Sequence, residues 1–310
     1  MGLMVPLVVR LWNMHSNRLL DDVALVRLAA EQAFDVPAVL RTQLDAFRNT
    51  PPPAGCLLLR GLPVGDLPPT PPEPTVATEK SAATEIRLLT FASLLGEPVG
   101  YLPEHRGDVV QNIVPVKGSA SRQTSTSSKV NLMFHTEAAF HPHRPRYLLL
   151  YCLRGDPQAR TTIASIHGAL PHLPQDVIDV LFQPLFRCSV DSSYLDGRSN
   201  VLGPALPVLS GDVANPAMVF DEDLMVGIDE EAEEALHMLG TTLTEHHGGV
   251  VLEPGDLLVI DNSVVVHGRS PFTARFDGTD RWLQRAFVVE DLSASEGERT
   301  GRVITTVFGE

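Results

Sequence analysis

The stretch Glu253-Pro-Gly-Asp-Leu-Leu-Val-Ile-Asp-Asn-Ser-Val-Val-Val-His267-Gly-Arg269 opens on a Pro-Gly turn, runs through an apolar segment, pauses at Asp261-Asn262 and ends a second apolar segment on a histidine. Short aliphatic runs bounded by Gly, Pro and Asn read as strands. His267 is therefore delivered at a strand end, and Gly268 beside it lets another backbone approach closely. Working outward, the same pattern recurs at residues 109–115, 147–153 and 282–290, so strands are expected to dominate from Asp108 onward. Helical spacing belongs to the earlier part of the chain. Leu19, Val23, Val26, Leu28 and Ala29, followed by Val39, Leu40, Leu44 and Phe47, predict two helices in the first fifty residues. Pro51-Pro-Pro ends the second, and residues 55–61 read as a buried strand. The segment 63–78, with six prolines, is expected as an extended surface connection. Ile86, Leu89, Phe91 and Leu95 predict a helix over 84–95 that stops at Gly96. Another helix begins at Asp229-Glu-Glu-Ala-Glu-Glu-Ala-Leu, its acidic first turn complementing the positive end of the dipole. No internal repeat is present.

Composition narrows the classes of function. A chain of 310 residues with 44% hydrophobic content has the makings of a sizeable core. Its formal charge of −14, without a dense Lys/Arg block, would repel a phosphate backbone, so nucleic acid is an unlikely partner class and a small cationic molecule a natural one. Cys56, Cys152 and Cys188 are far apart and form no CxxC, which argues against a disulfide framework and for a cytoplasmic home. The opening Met1-Gly-Leu-Met-Val-Pro-Leu-Val-Val-Arg10 has neither the basic start nor the cleavage pattern of a signal peptide, and no run reaches the length of a membrane span.

A second histidine lies in Phe134-His-Thr-Glu-Ala-Ala-Phe-His141. As alternate residues of an extended segment, His135 and Glu137 are expected to point to one side. With His267 from a separate strand they make a triangular face of three donors whose opposite face is open, the arrangement of non-haem Fe(II) oxygenases. Asp277-Gly278 is a hairpin dipeptide, after which Arg281, Leu283, Arg285 and Phe287 alternate onto one face of a strand. Either that face looks inward and each arginine meets a carboxylate, or both arginines are solvated. Asp261 and Asn262 are placed to brace the distal imidazole. His141 and His143 read as loop residues, His246 and His247 as solvated residues at a helix end, and Trp282 as packing. The Ser/Thr-rich stretch 118–128 reads as a mobile loop and a natural lid.

Together these pieces resemble the clavaminate synthase-like group of Fe(II)/2-oxoglutarate oxygenases, which includes hydroxylases of free L-arginine and L-asparagine. The resemblance is carried by His135-Thr-Glu137-Ala-Ala-Phe-His-Pro, Glu253-Pro-Gly-Asp-Leu, His267-Gly-Arg-Ser-Pro-Phe and Asp277-Gly-Thr-Asp-Arg281-Trp-Leu-Gln-Arg285, in family order from about Gly55 to Phe308. It implies a mainly β fold with flanking helices, a double-stranded β-helix or jelly-roll barrel. The chain would be one oxygenase domain over 1–310, with a helical part at 1–50 and the jelly-roll core at 108–308. It implies Fe(II) on His135, Glu137 and His267, with O2 and 2-oxoglutarate as co-substrates. Arg281 would grip the far carboxylate of 2-oxoglutarate, assisted by the hydroxyl of Thr161 or Thr162. Arg285 and Ser125 would hold an amino-acid carboxylate, and Glu104 its ammonium. In Val219-Phe-Asp221-Glu-Asp223, two alternating aspartates stand where arginine-type members clamp a guanidinium.

The expected activity is hydroxylation at C3 or C4 of a free basic amino acid, L-arginine first, with L-lysine, L-asparagine or desaturation of arginine as alternatives. Asparagine fits two negative charges less well. A zinc or manganese hydrolase could use the same three ligands but has no need of an inward Arg281, and no HExxH accompanies them. A non-catalytic binding module on the same scaffold is the other rival. The oligomeric state cannot be read from the sequence.

Overall fold

The strand Trp282–Val289 is buried along its whole length and organises the largest sheet among the described residues. The computed structural model describes residues 22–74 and 82–310; the opening decapeptide, Leu19 and the last part of the Pro-rich connection lie outside them. In the eight-stranded sheet the order is Cys56–Leu59, Leu257–Asp261, Tyr147–Arg154, Trp282–Val289, Glu97–Tyr101, Val303–Ile304 and Arg299–Thr300, with Val110–Ile113 also pairing to Trp282–Val289. Two of its strands thus come from before residue 108. A four-stranded sheet is ordered Gly248–Val251, Arg160–Ser165, Val265–Arg269, Leu132–His135, and every pairing in it is antiparallel.

Alternation on the central strand divides its apolar side chains between two cores. Leu283 and Phe287 enter a core with Leu148, Leu150, Leu258 and Ile260, to which the smaller sheet contributes Ala164, Val265 and Val266. Trp282, Ala286 and Val288 point the other way, into a second core with Leu40, Leu44, Phe47, Ile86, Leu89 and Phe91. Both faces are therefore covered, one by a sheet and one by helices. Those helices are Asp22–Gln32, Ala38–Asn49 and Ala82–Ser93. The acidic helix runs Glu230–Glu245, and Asp229 caps it by accepting from the Ala232 N–H at 2.9 Å.

The architecture is mainly β with flanking helices, a jelly roll, but the sheets stay as two facing layers and do not close into a barrel. Two local expectations change. Gly278 does take a left-handed φ of 85°, yet the arm before it forms no strand. The Asp280 carboxylate instead accepts from the Arg275 and Phe276 N–H groups and folds that arm into a loop. The 118–128 stretch is also more structured than its composition predicts. Val116 donates to Thr126, and Ser128 and Lys129 both donate to Ala120, which closes the loop on itself. Trp282 is a packing residue with its indole N–H on Asn112 (2.9 Å), and the three cysteines are free. Among the described residues no helix is long and apolar enough to cross a membrane.

Candidate active site

His135 and His267 are register partners across the antiparallel strands Leu132–His135 and Val265–Arg269, and their ring centroids are 4.4 Å apart. Gly268 makes this approach possible: a Cβ there would sit 2.4 Å from the Leu132 carbonyl oxygen. The strand ends at His135, so Glu137 is not the next alternate strand residue but the start of a turn in which Ala138 takes a φ of 52°. The turn still brings the carboxylate back. One ligand atom from each of His135, Glu137 and His267 lies within 4.8 Å of the other two, and among the described residues no other such group of three is found.

The protonation states suit a divalent cation. Burial alone would raise the Glu137 carboxyl, but Arg285 and the two imidazoles more than offset it and hold its pKa at about 2. Burial, aided by His135, lowers His267 to about 4, so its imidazole is neutral. Nδ1 of His135 lies 2.9 Å from the Met133 carbonyl, which can only accept; Nδ1 therefore carries the proton and Nε2 keeps its lone pair for a metal. Asp261 and Asn262 do not brace His267 as expected: its Nδ1 is buried without a partner. Asp261 pairs with Arg146 (2.8 Å), and Asn262 clamps the backbone of Glu137, accepting from its N–H (2.8 Å) and donating to its carbonyl (3.1 Å). The reason is the Glu137 turn, whose backbone groups leave the strand ladder and need side-chain partners.

Both arginines face inward, with Arg281 at 6% and Arg285 at 5% exposure. Arg285 has three partners: Gln111 (2.9 and 2.5 Å), Glu104 (2.8 Å) and Glu137 (3.3 and 3.4 Å). Arg281 is different. None of the described residues makes a hydrogen bond or ion pair with it, and burial lowers its pKa to about 10. The hydroxyl of Thr161 is likewise buried without a partner. Thr161 and Ile163 share a sheet face, and Ile163 is paired with His267, so Thr161 lies on the His267 face and Thr162 on the other. A lone guanidinium and an orphan hydroxyl are donors in search of an acceptor, and they fit the far carboxylate of 2-oxoglutarate.

A cavity of about 490 Å³ opens over His135 and Glu137 of the triad. His135, Glu137, Arg285, Glu104, Ser125, Asp221 and Asp223 line it, which brings the substrate residues named from the sequence to one place; Arg281 does not line it. The aspartates are not on an extended segment. Residues 222–224 form a turn in which Asp221 Oδ1 accepts from the Asp223 (3.0 Å) and Leu224 (2.9 Å) N–H groups, leaving Asp221 buried and Asp223 exposed. Burial pushes Asp221 up to about 6 despite His135 and those N–H groups.

Three further residues, one holding Arg285 and two on the cavity wall, carry no functional signal in the sequence. Gln111 stands opposite Arg285 in the register, a placement that a pairing of the two strands would have given. Asp191 and Ser193 come from a turn whose Asp-Ser-Ser sequence signals its local shape but not its position over the cavity. Ser193 donates to Glu104 at 3.0 Å. His141 and His143 lie in the loop after the triad and outside the ligand set, though His141 is a core residue at 1% exposure. His246 and His247 are exposed beyond the end of the acidic helix.

A jelly roll that gathers two imidazoles and one carboxylate, and buries an arginine that has no partner among the described residues, defines a non-haem Fe(II) oxygenase. The chain belongs to the taurine catabolism dioxygenase TauD, TfdA family, whose model matches residues 21–287. It is 41% identical to an L-asparagine oxygenase of Streptomyces coelicolor, over 90% of this chain and 84% of that one. It is 36% identical to clavaminate synthase 2 of Streptomyces clavuligerus, over 87% and 85%. Among solved structures, the non-heme iron oxygenase OrfP in complex with Fe, succinate and (3S)-hydroxy-L-Arg superposes with a TM-score of 0.82 at 31% identity, covering 93% of this chain and 91% of that one. The protein is an Fe(II)/2-oxoglutarate-dependent dioxygenase of the amino-acid hydroxylase kind, using Fe(II), 2-oxoglutarate and O2.

Proposed function

We propose that the enzyme hydroxylates C3 or C4 of a free basic L-amino acid, with L-arginine as the first candidate. The observation that carries this reading is the Arg285–Glu104 pair (2.8 Å) in an acid-lined cavity beside the triad. An α-amino acid is a zwitterion and can exchange with such a pair. Its carboxylate takes the Arg285 fork with Ser125 beside it, and its ammonium takes Glu104, so no buried charge loses a partner. The side chain then reaches toward Asp221 and Asp223, with Asp191 as a further acid on the wall. A planar permanent cation suits paired carboxylates, and lysine can use them too.

In this reading His135 Nε2, a Glu137 oxygen and His267 hold Fe(II), and Arg281 with Thr161 orients 2-oxoglutarate. When bound, the iron and 2-oxoglutarate supply O2 activation: one oxygen atom ends in the substrate C–OH, the other in succinate, and CO2 is released. The residues of this chain fix the distance between a mid-chain carbon and the metal. The loop at 118–128 and the turn at 191–194 keep water from it.

A second reading, asparagine, is favoured by the 41% identity to an L-asparagine oxygenase. Mass spectrometry of a panel of free arginine, lysine, ornithine and asparagine, incubated with Fe(II) and 2-oxoglutarate, separates the two. Gain of one oxygen by arginine or lysine with matching succinate is the expected result. Loss of two hydrogens from arginine would make the enzyme a desaturase, and turnover confined to asparagine would overturn the basic-substrate reading.

A further inference from the structure

Arg269 follows His267 by two residues and is buried at 4% exposure. Its guanidinium is spent on the loop before His135. It donates to the Ser127 carbonyl, to the Ser127 hydroxyl (3.0 Å) and to the Val130 carbonyl (3.3 Å), and Nε donates to its own neighbour Ser270 (3.1 Å). The guanidinium carbon lies 4.9 Å from the centroid of the Phe272 ring, and Phe272 in turn donates its N–H to Ser128 at 2.7 Å. Among the described residues no carboxylate pairs with Arg269. Arg269 is also the register partner of Thr161, whose hydroxyl is orphaned. The loop it grips carries Ser119 and residues 122–126, one wall of the amino-acid cavity.

We propose that Arg269 is a positioning residue that couples the 2-oxoglutarate end of the site to the loop wall of the amino-acid cavity. The proposal rests on the reading of Arg281 and Thr161 as the 2-oxoglutarate anchor. Arg269 stands opposite Thr161 on one face of the sheet, and it cannot shift without releasing Ser127 and Val130. A carboxylate seated on the Thr161 hydroxyl brings negative charge to the side chain opposite, Arg269, and lets it hold the loop more firmly. By reciprocity, a well-held loop favours 2-oxoglutarate. The fork matters as well as the charge, because a lysine ammonium presents its donors from one point and cannot span the two carbonyls.

The test uses the Fe(II)-loaded full chain under anaerobic conditions, so that binding is read without turnover, with 2-oxoglutarate as the probe. Trypsin reports the loop through the exposed Arg122 and Lys129. In the parent, 2-oxoglutarate is expected to slow cleavage there. In Arg269→Lys the loop is cut about ten-fold faster, the scale of one lost charge-assisted hydrogen bond, and 2-oxoglutarate no longer protects it. The 2-oxoglutarate Kd of this variant rises by the factor of loop protection lost, as reciprocity requires, and aerobic assays show the amino-acid KM raised about ten-fold and succinate formed in excess of product. Phe272→Leu, which keeps the arginine but removes its ring, moves loop cleavage the same way by a smaller factor and carries the test should Arg269→Lys melt early. Unchanged loop protection and amino-acid KM in the variants, with 2-oxoglutarate still bound by the parent, overturns the coupling alone. Failure of the parent to bind 2-oxoglutarate overturns the anchor reading beneath it.

Discussion

Arg281 carries the sharpest consequence of any single side chain. Its cation is buried, with no partner among the described residues, and desolvation lowers its pKa to about 10, so at neutral pH the folded state bears the cost of a charge that the unfolded state carries freely. Arg281→Met is therefore expected to stabilise the ligand-free protein, by about 1–3 kcal/mol in denaturant titration, in line with replacement of buried charges by apolar groups. The same change is expected to weaken 2-oxoglutarate binding by about a hundred-fold, within the 2–5 kcal/mol range for losing one side of a buried charged contact. A destabilised variant with unaltered 2-oxoglutarate affinity would remove Arg281 from its role. The residues legible in advance are those whose charge or imidazole is conspicuous in the sequence: His135, Glu137, His267, Arg281 and Arg285. Gln111 and Asn262 were not legible in those roles, because an amide has no chemistry of its own to announce and its work depends on which strand lies opposite.

Among the elements, the turns decide the site more than the strands do. The Glu137 carboxylate converges with the imidazoles only because the chain leaves the ladder after His135, with Ala138 in the left-handed region and Asn262 accepting from and donating to the Glu137 backbone. Asn262→Ala removes both bonds and frees the turn. Fe(II) affinity, measured by anaerobic titration, is expected to fall about 10- to 100-fold, the scale seen when groups that orient metal ligands are lost. Circular dichroism should remain that of the parent. Strand alternation was legible because its period is fixed by geometry. The turns at 137–140 and 222–224 were not, since each is selected by a competition between a side chain and solvent for backbone N–H groups, as when Asp221 takes those of Asp223 and Leu224. The 118–128 loop was misjudged for a related reason: its anchor, Arg269, is distant in sequence.

Across the whole molecule, the core between the sheets includes a titratable group outside the ligand set. His141 packs edge-on against Tyr101 (4.9 Å) and against Phe308 (5.0 Å), and it accepts from the His143 N–H at 2.9 Å. Burial, with His143 and Arg144 nearby, lowers its pKa from 6.5 to about 3. The unfolded chain thus binds a proton that the native state refuses between these values, so stability is full above pH 6.5 and falls as the pH drops toward 3. At pH 5 the loss from this group is about 2 kcal/mol. Denaturant titrations at pH 7 and pH 5 should show that difference shrink in His141→Gln; an equal difference in both proteins would place the acid sensitivity elsewhere. The fold class was legible from the run of β segments after Asp108, while the separation into two sheets was not, because closure depends on which strand edges meet and local sequence does not record that.

One consequence follows from where the first ligand histidine stands. The strand Leu132–His135 is the outer member of the four-stranded sheet and meets its neighbour only at His135 and Leu132, with a register shift between. An ion gripped by both histidines is thus a rivet at the rim of the sheet, fastening the last strand to the one inside it. Hydrogen–deuterium exchange should show amides 132–135 slowing sharply when Fe(II) is supplied anaerobically and quickening on chelation, so that loading the catalyst and finishing the fold become one event.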